Sequence, residues 1–119
     1  MLNDSYDFEK IYIACGYSDL RCGIDGLANI IQKQFNLNPF NQHFLFLFCG
    51  RKNDRIKGLL WEGDGFLLLY KRLETGKFQW PRNEEDVKSI SVQQYKWLME
   101  GLSINQKRAI KSIMPTRIL

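Results

Sequence analysis

Histidine is nearly missing from this sequence, with His43 the single example in 119 residues. That leaves little material for imidazole-rich metal sites or for a histidine-assisted nucleophile. Cysteine is scarce as well. Cys15, Cys22 and Cys49 are odd in number and form no Cys-x-x-Cys pair, so neither a disulfide framework nor a zinc site is expected. Long apolar runs are absent too. The longest, Phe44–Cys49 and Phe66–Tyr70, are strand-sized and far short of the roughly 18 residues that cross a bilayer. Met1 to Lys10 carries Asp4, Asp7 and Glu9 and no hydrophobic signal core, which gives the expectation of a cytoplasmic protein. No Gly-Lys-Ser/Thr box occurs, and Gly63-Asp64-Gly65 lacks the last glycine of a dinucleotide fingerprint. Repeats, low-complexity tracts and an obvious linker are also missing, so residues 1–119 read as one domain.

What is present is ordinary globular material, 45% apolar and 25% charged. The net charge of +4 resides in the tail. From Ser103 onward there are Lys107, Arg108, Lys111 and Arg117 and no acid, so the body is neutral overall. Within the body the cations cluster. Arg51, Lys52, Arg55, Lys57, Lys71, Arg72, Lys77 and Arg82 face only Asp54, Glu62, Asp64 and Glu74 between residues 51 and 82. Such clustering creates a local field that a whole-chain balance hides. The tail itself reads as a frayed terminus.

Ile11–Cys15 reads as a strand closed by Gly16. Ile24, Leu27, Ala28, Ile31 and Phe35 recur at helical spacing and predict a helix over residues 23–35, with Gly26 permitting close packing. Phe44–Cys49 is apolar at every position, as a central strand covered on both faces requires. Ile56–Trp61 and Phe66–Arg72 flank Glu62-Gly63-Asp64-Gly65, a hairpin whose Asp-Gly step supplies positive φ. Lys77–Pro81 reads as an edge strand stopped by its proline, and Glu84–Lys88 as a charged lead-in. Ser91 is placed to cap a helix through Val92, Tyr95, Leu98 and Met99, and Asn105–Met114 allows a weak further helix. The expected class is α+β: a mostly antiparallel sheet, a meander with a central basic hairpin, flanked by two main helices.

Each chemical candidate competes with a plainer role. Cys22, beside Arg21 and ahead of a helix, has the setting for a lowered thiol pKa, but nothing brings His43 to it, and a bystander thiol is the better reading. Cys15 and Cys49 read as small core residues. Asp19, Asp25, Asp54, Asp64 and Glu74 are candidates for a metal-dependent nuclease, yet several sit in turns, where aspartate bonds its own backbone. No catalytic residue, metal or cofactor is therefore expected. The basic hairpin carries more. Pairing across its turn brings Lys71 and Arg72 to the same open end as Arg51, Lys52, Arg55 and Lys57. Those side chains suit phosphates, while Trp61, Tyr70 and Trp80 could stack on bases. A solvated charged rim is the competing description.

Two blocks together carry a family resemblance. One is Cys15-Gly16-Tyr17-Ser18-Asp19-Leu20-Arg21-Cys22-Gly23-Ile24-Asp25-Gly26-Leu27-Ala28. The other runs from Phe46-Leu47-Phe48-Cys49-Gly50-Arg51-Lys52-Asn53-Asp54-Arg55-Ile56-Lys57 through Leu60–Phe66 and Tyr70–Glu74 to Gly76–Pro81. From Ile11 to Leu102 the chain resembles the TnpB-type accessory protein, encoded by the second open reading frame, of the IS-sixty-six family of bacterial insertion sequences. The resemblance implies a cytoplasmic accessory factor for DNA transposition, partnered by the element-encoded transposase, which itself carries the strand-cleaving carboxylates. On that reading Arg21, Arg51, Lys52, Arg55, Lys57, Lys71 and Arg72 meet element DNA, the transposase, or both. Asp19, Asp25 and Asp54 would organise the two loops. Cys22 departs from the family pattern, where a basic residue is usual, and Gly50 and Asn53 depart from more polar or basic ones. A protein-interaction subunit without DNA contact and a small metal-dependent nuclease are the rival readings.

Overall fold

The computed structural model describes residues 7–82 and 85–106. Asp4, Glu84 and most of the tail, including all but the first two residues of the weak helix expected over Asn105–Met114, lie outside the described residues. Five strands and two helices follow in order: β1 (Lys10–Ala14), α1 (Ile24–Lys33), β2 (Phe44–Cys49), β3 (Arg55–Trp61), β4 (Phe66–Arg72), β5 (Val87–Ile90) and α2 (Val92–Met99). The strands form one sheet in the order β4-β3-β2-β1-β5. Among the described residues no helix is long and apolar enough to cross a membrane.

The class is α+β, and the strand pairs are antiparallel except β1 with β2, which run parallel with Ile11 opposite Leu45. A parallel pair needs a crossover rather than a tight turn, and α1 supplies it. The meander is thus confined to β2-β3-β4.

β2 occupies the centre and is apolar throughout for a physical reason. Its alternate side chains go to opposite faces. Leu45, Leu47 and Cys49 join Ile11, Ile13, Ile56 and Leu60 on one face, under Tyr95 and Leu98 of α2. Phe46 and Phe48 join Ala14 and Leu59 on the other, under Leu27 and Ile31 of α1. The two helices therefore lie on opposite faces of one sheet. Burial pushes the Cys49 thiol up to about 12, so it behaves as a small apolar residue.

Local signals set the helix ends. Ser91 accepts from the Gln94 backbone N–H at 3.0 Å, while the Ser91 N–H donates to Gln94 Oε1 at 2.9 Å, which is a reciprocal capping box. α1 ends at Lys33, and the chain turns away at Asn36, whose φ of 56° is the left-handed conformation that asparagine tolerates. A β-carbon on Gly26 would lie 3.0 Å from the Cys22 Cβ, so the helix start closes tightly on the preceding loop.

Two expectations are corrected. Lys77–Pro81 is not a strand: Phe78 and Trp80 are buried as plugs in the first core cluster. The Trp80 indole N–H donates to the Ala14 carbonyl at 2.7 Å, across 66 positions of sequence. Conversely, Val87 and Lys88, expected in a charged lead-in, begin the edge strand β5, where Ile90 pairs with Ile11. A short edge strand carrying a lysine discourages further pairing. The hairpin stands where it was expected, but its positive φ of 95° falls on Gly63 rather than on the Asp64-Gly65 step. Replacing Trp80 by Phe should keep most of the plug and strand the Ala14 acceptor. A loss of about 1–2 kcal/mol in urea unfolding is expected.

Candidate functional site

The loop after β1 and the turn between β2 and β3 meet beside the open end of the β3–β4 hairpin. Four contacts hold them together. The Ser18 backbone N–H donates to the Cys49 carbonyl at 2.8 Å. Gly50 has no side chain where one would lie 3.2 Å from Leu20 Cδ1. Lys57 Nζ donates to the Cys22 carbonyl at 3.3 Å, and Asn53 Nδ2 to the Tyr17 hydroxyl at 3.4 Å. Asn53 itself has a φ of 60°, and its N–H closes the turn on the Gly50 carbonyl at 3.1 Å. Gly50 and Asn53, two of the three departures from the family pattern, thus make room for Leu20 and shape the turn.

Between these segments lies a cleft of about 760 Å³. Arg21, Arg51, Lys52, Arg55 and Lys57 line it together with Asp19, Tyr17 and Tyr70. The first loop therefore carries Arg21 to the hairpin cations, which no local pattern in the chain announces. Among the described residues neither Arg51 nor Lys52 forms an ion pair, and both are exposed. Arg55 is half-buried, its Nε bonded to Asp54 Oδ1 at 3.2 Å.

Asp19 is the acid of the lining. It accepts from the Arg21 backbone N–H at 3.0 Å, from Nε at 3.0 Å and from Nη2 at 2.9 Å. The Arg21 side-chain bonds, then the backbone bond, then the charges of Arg21 and Lys57 hold its carboxyl down at about 2, against an ordinary 3.8. A depressed carboxyl stabilises the folded state above its ordinary pKa, and that contribution is lost as pH falls through about 2. At neutral pH the carboxylate stays charged and holds Arg21, whose side chain is 92% exposed.

The other expected positions divide. In the hairpin register Arg55 faces Arg72, Ile56 faces Lys71 and Lys57 faces Tyr70. Arg55, Lys57, Tyr70 and Arg72 consequently share the α1 face. Lys71 falls on the opposite face, with Ile56 and Leu69, because neighbours along a strand point to opposite sides. Arg72 is turned to Glu74 at 3.3 Å and does not line the cleft. Asp25 is exposed in the first turn of α1, where a negative charge suits the helix dipole. Asp54 serves through its backbone too, its carbonyl accepting from the Leu73 N–H at 2.6 Å.

Of the three aromatics expected beside the cations, Tyr70 alone is there, 52% exposed with Lys57 Nζ 5.9 Å from its ring centroid. Trp80 is the buried plug, and Trp61 packs on Phe40 and Phe66 at the turn end of the hairpin. Sequence reasoning missed Tyr17 and Arg82. The Arg82 guanidinium lies 4.4 Å from the Tyr17 ring centroid, and Nη2 donates to the Tyr17 hydroxyl. The signal for Tyr17 was an aromatic residue alone in a polar loop.

Cys22 and His43 lie towards opposite ends of β2, since Cys22 meets Lys57, the partner of Phe48, while His43 precedes Phe44. Among the described residues no three His, Cys, Asp or Glu side chains are grouped as a metal site requires.

Two proteins of Sinorhizobium fredii are similar over 109 residues, covering 92% of this chain and 92% of each relative. Uncharacterized protein y4hO is 35% identical and uncharacterized protein y4jC 27% identical. No solved structure matches the chain. The family described as IS66 Orf2 like protein matches residues 9–109, a span that takes in the whole sheet, both helices and every cleft residue. The chain belongs to the IS66 Orf2-like family.

Proposed function

We propose that this insertion-sequence accessory protein holds the phosphate backbone of element DNA in the cleft between its first loop and its basic hairpin. The observation that carries this reading is the imbalance of the lining, five cations against one carboxylate that is already spent on Arg21. A phosphate run needs such a surface, with guanidinium groups giving two-pronged contacts and lysines giving point charges. Nothing in the recognition depends on base identity, because phosphate contacts fix register and orientation only. Catalysis of strand transfer is left to the transposase, with this chain as its non-catalytic companion.

The test is a salt-titrated binding assay on element-end DNA, comparing the native chain with the triple variant Arg51→Ala, Lys52→Ala, Arg55→Ala. Weaker binding with a flatter salt dependence supports the proposal. Identical titrations for the two proteins remove it. Retention of the transposase in high salt, with no DNA bound by either protein, would instead assign the chain a purely protein-binding role.

Asp19→Asn separates DNA binding from metal-dependent cleavage by sign. Asparagine keeps an acceptor for the Arg21 N–H while removing the charge. DNA should then bind several-fold more tightly, read as a lower Kd at fixed salt. A nuclease that used Asp19 as a metal ligand would lose its cleavage of labelled DNA.

A further inference from the structure

The two edges of the sheet are built differently. β5 is four residues long and carries Lys88. β4 has seven residues, the first five of them Phe, Leu, Leu, Leu and Tyr. The hydrogen bonds at both ends of the hairpin fix which way its backbone points. Glu62 N–H donates to the Gly65 carbonyl at 2.9 Å, and Leu73 N–H to the Asp54 carbonyl at 2.6 Å. Antiparallel bonding alternates along a strand. Leu67, Leu69 and Lys71 thus turn their N–H and C=O groups to β3, while Phe66, Leu68, Tyr70 and Arg72 turn theirs outward. Among the described residues no backbone hydrogen bond to those outward groups is made outside the strand ladder.

We infer that β4 pairs with β4 of a second copy of this chain, antiparallel about a two-fold axis through Leu69. An open row of donors and acceptors along a long, mostly apolar edge strand is a template for pairing with another strand. In this register Phe66 lies opposite Arg72 of the second copy and Leu68 opposite its Tyr70, with about eight backbone hydrogen bonds across the seam. The choice of a second copy follows from how the strand is laid out. Its cations sit at one end, so antiparallel self-pairing places the two Arg72 residues at opposite ends of the seam instead of face to face. The exposed Tyr70 of each copy gains an apolar partner, the half-buried Leu68. A two-fold axis normal to the sheet leaves the α1 faces on one side. The ten-stranded sheet then presents both clefts together, each beginning at a Tyr70 one residue from the axis.

The pairing is tested without DNA, so its outcome is separate from that of the cleft. Sedimentation equilibrium of the full chain in high salt should give about twice the 14.1 kDa of one copy. Leu69 faces itself in a non-hydrogen-bonded pair, at a Cα separation of about 4.5 Å, which a disulfide can span. Leu69→Cys should therefore form a covalent dimer on mild oxidation, well above any linkage of the native chain. Leu67→Cys and Lys71→Cys should link to each other when mixed and not to themselves, which carries the same test if Leu69→Cys does not fold. A monomer at the highest attainable concentration overturns the inference, whether the edge then takes a tail or a foreign strand. A dimer whose cysteine variants link no more than the native chain overturns it as well.

Discussion

Phe48→Ala should destabilise the protein by about 3–5 kcal/mol, the cost of removing a buried aromatic side chain and leaving its cavity. The site has no way to collapse. Phe48 has no exposed surface, stands on the central strand, and stacks on Phe35 at 6.4 Å between ring centroids. The backbone beneath it is bonded to β3 on one side and lies beside β1 on the other. Domains of this size have total stabilities of about 5–15 kcal/mol, so the variant should sit near the edge of folding. A fall in Tm of about 10–20 °C in a thermal melt is the expected reading. Phe66→Ala is the contrasting control. That ring is half-buried at the turn end of the hairpin, and its loss should cost clearly less.

The triple cleft variant should show the largest change in binding. Each phosphate neutralised on a duplex adds about 0.9 to the slope of log affinity against log salt. With Arg21 held by Asp19 and Arg55 by Asp54, three cleft cations remain, giving a slope near −2.7 for the native chain on that coefficient. Raising salt from 50 to 200 mM should then weaken native binding about fortyfold. The variant keeps Lys57, so its slope should be near −1 and its loss over the same range only three- to fourfold, on the same coefficient. A slope that stays steep after the three substitutions would mean that the counterions leave from somewhere else, for instance the basic tail.

Periodicity made the sheet's middle legible and its margins hard to read. Six apolar residues in a row at Phe44–Cys49 can satisfy two covered faces in no other way than as a central strand. β5 offered only four residues, one of them charged, too few for alternation to stand out. The Lys77–Pro81 segment looked like an edge because a glycine turn precedes it and a proline stops it. Trp80 is instead buried, its indole bonded to the Ala14 carbonyl in a contact that no local window contains. The cleft divides in the same way. The hairpin cations could be placed at one end from the turn alone, but Lys71, expected among them, is put on the opposite face by the register. Arg21 could not be placed, because its position depends on Ser18 meeting Cys49 and Leu20 meeting Gly50.

The neighbours of β1 have a consequence for how the protein is made. β2, β3 and β4 are joined by short turns, so their pairing closes small loops and can form early. β1 must wait for the crossover through α1, and β5 joins it last, with Ile90 returning to Ile11. On the ribosome the sheet stays unfinished until nearly the whole described chain has emerged, and refolding should end with that same strand. Pulse-labelled hydrogen exchange should find the Ile11 and Ile90 amides, which bond across the β1–β5 pair, protected after those of Leu59 and Leu67.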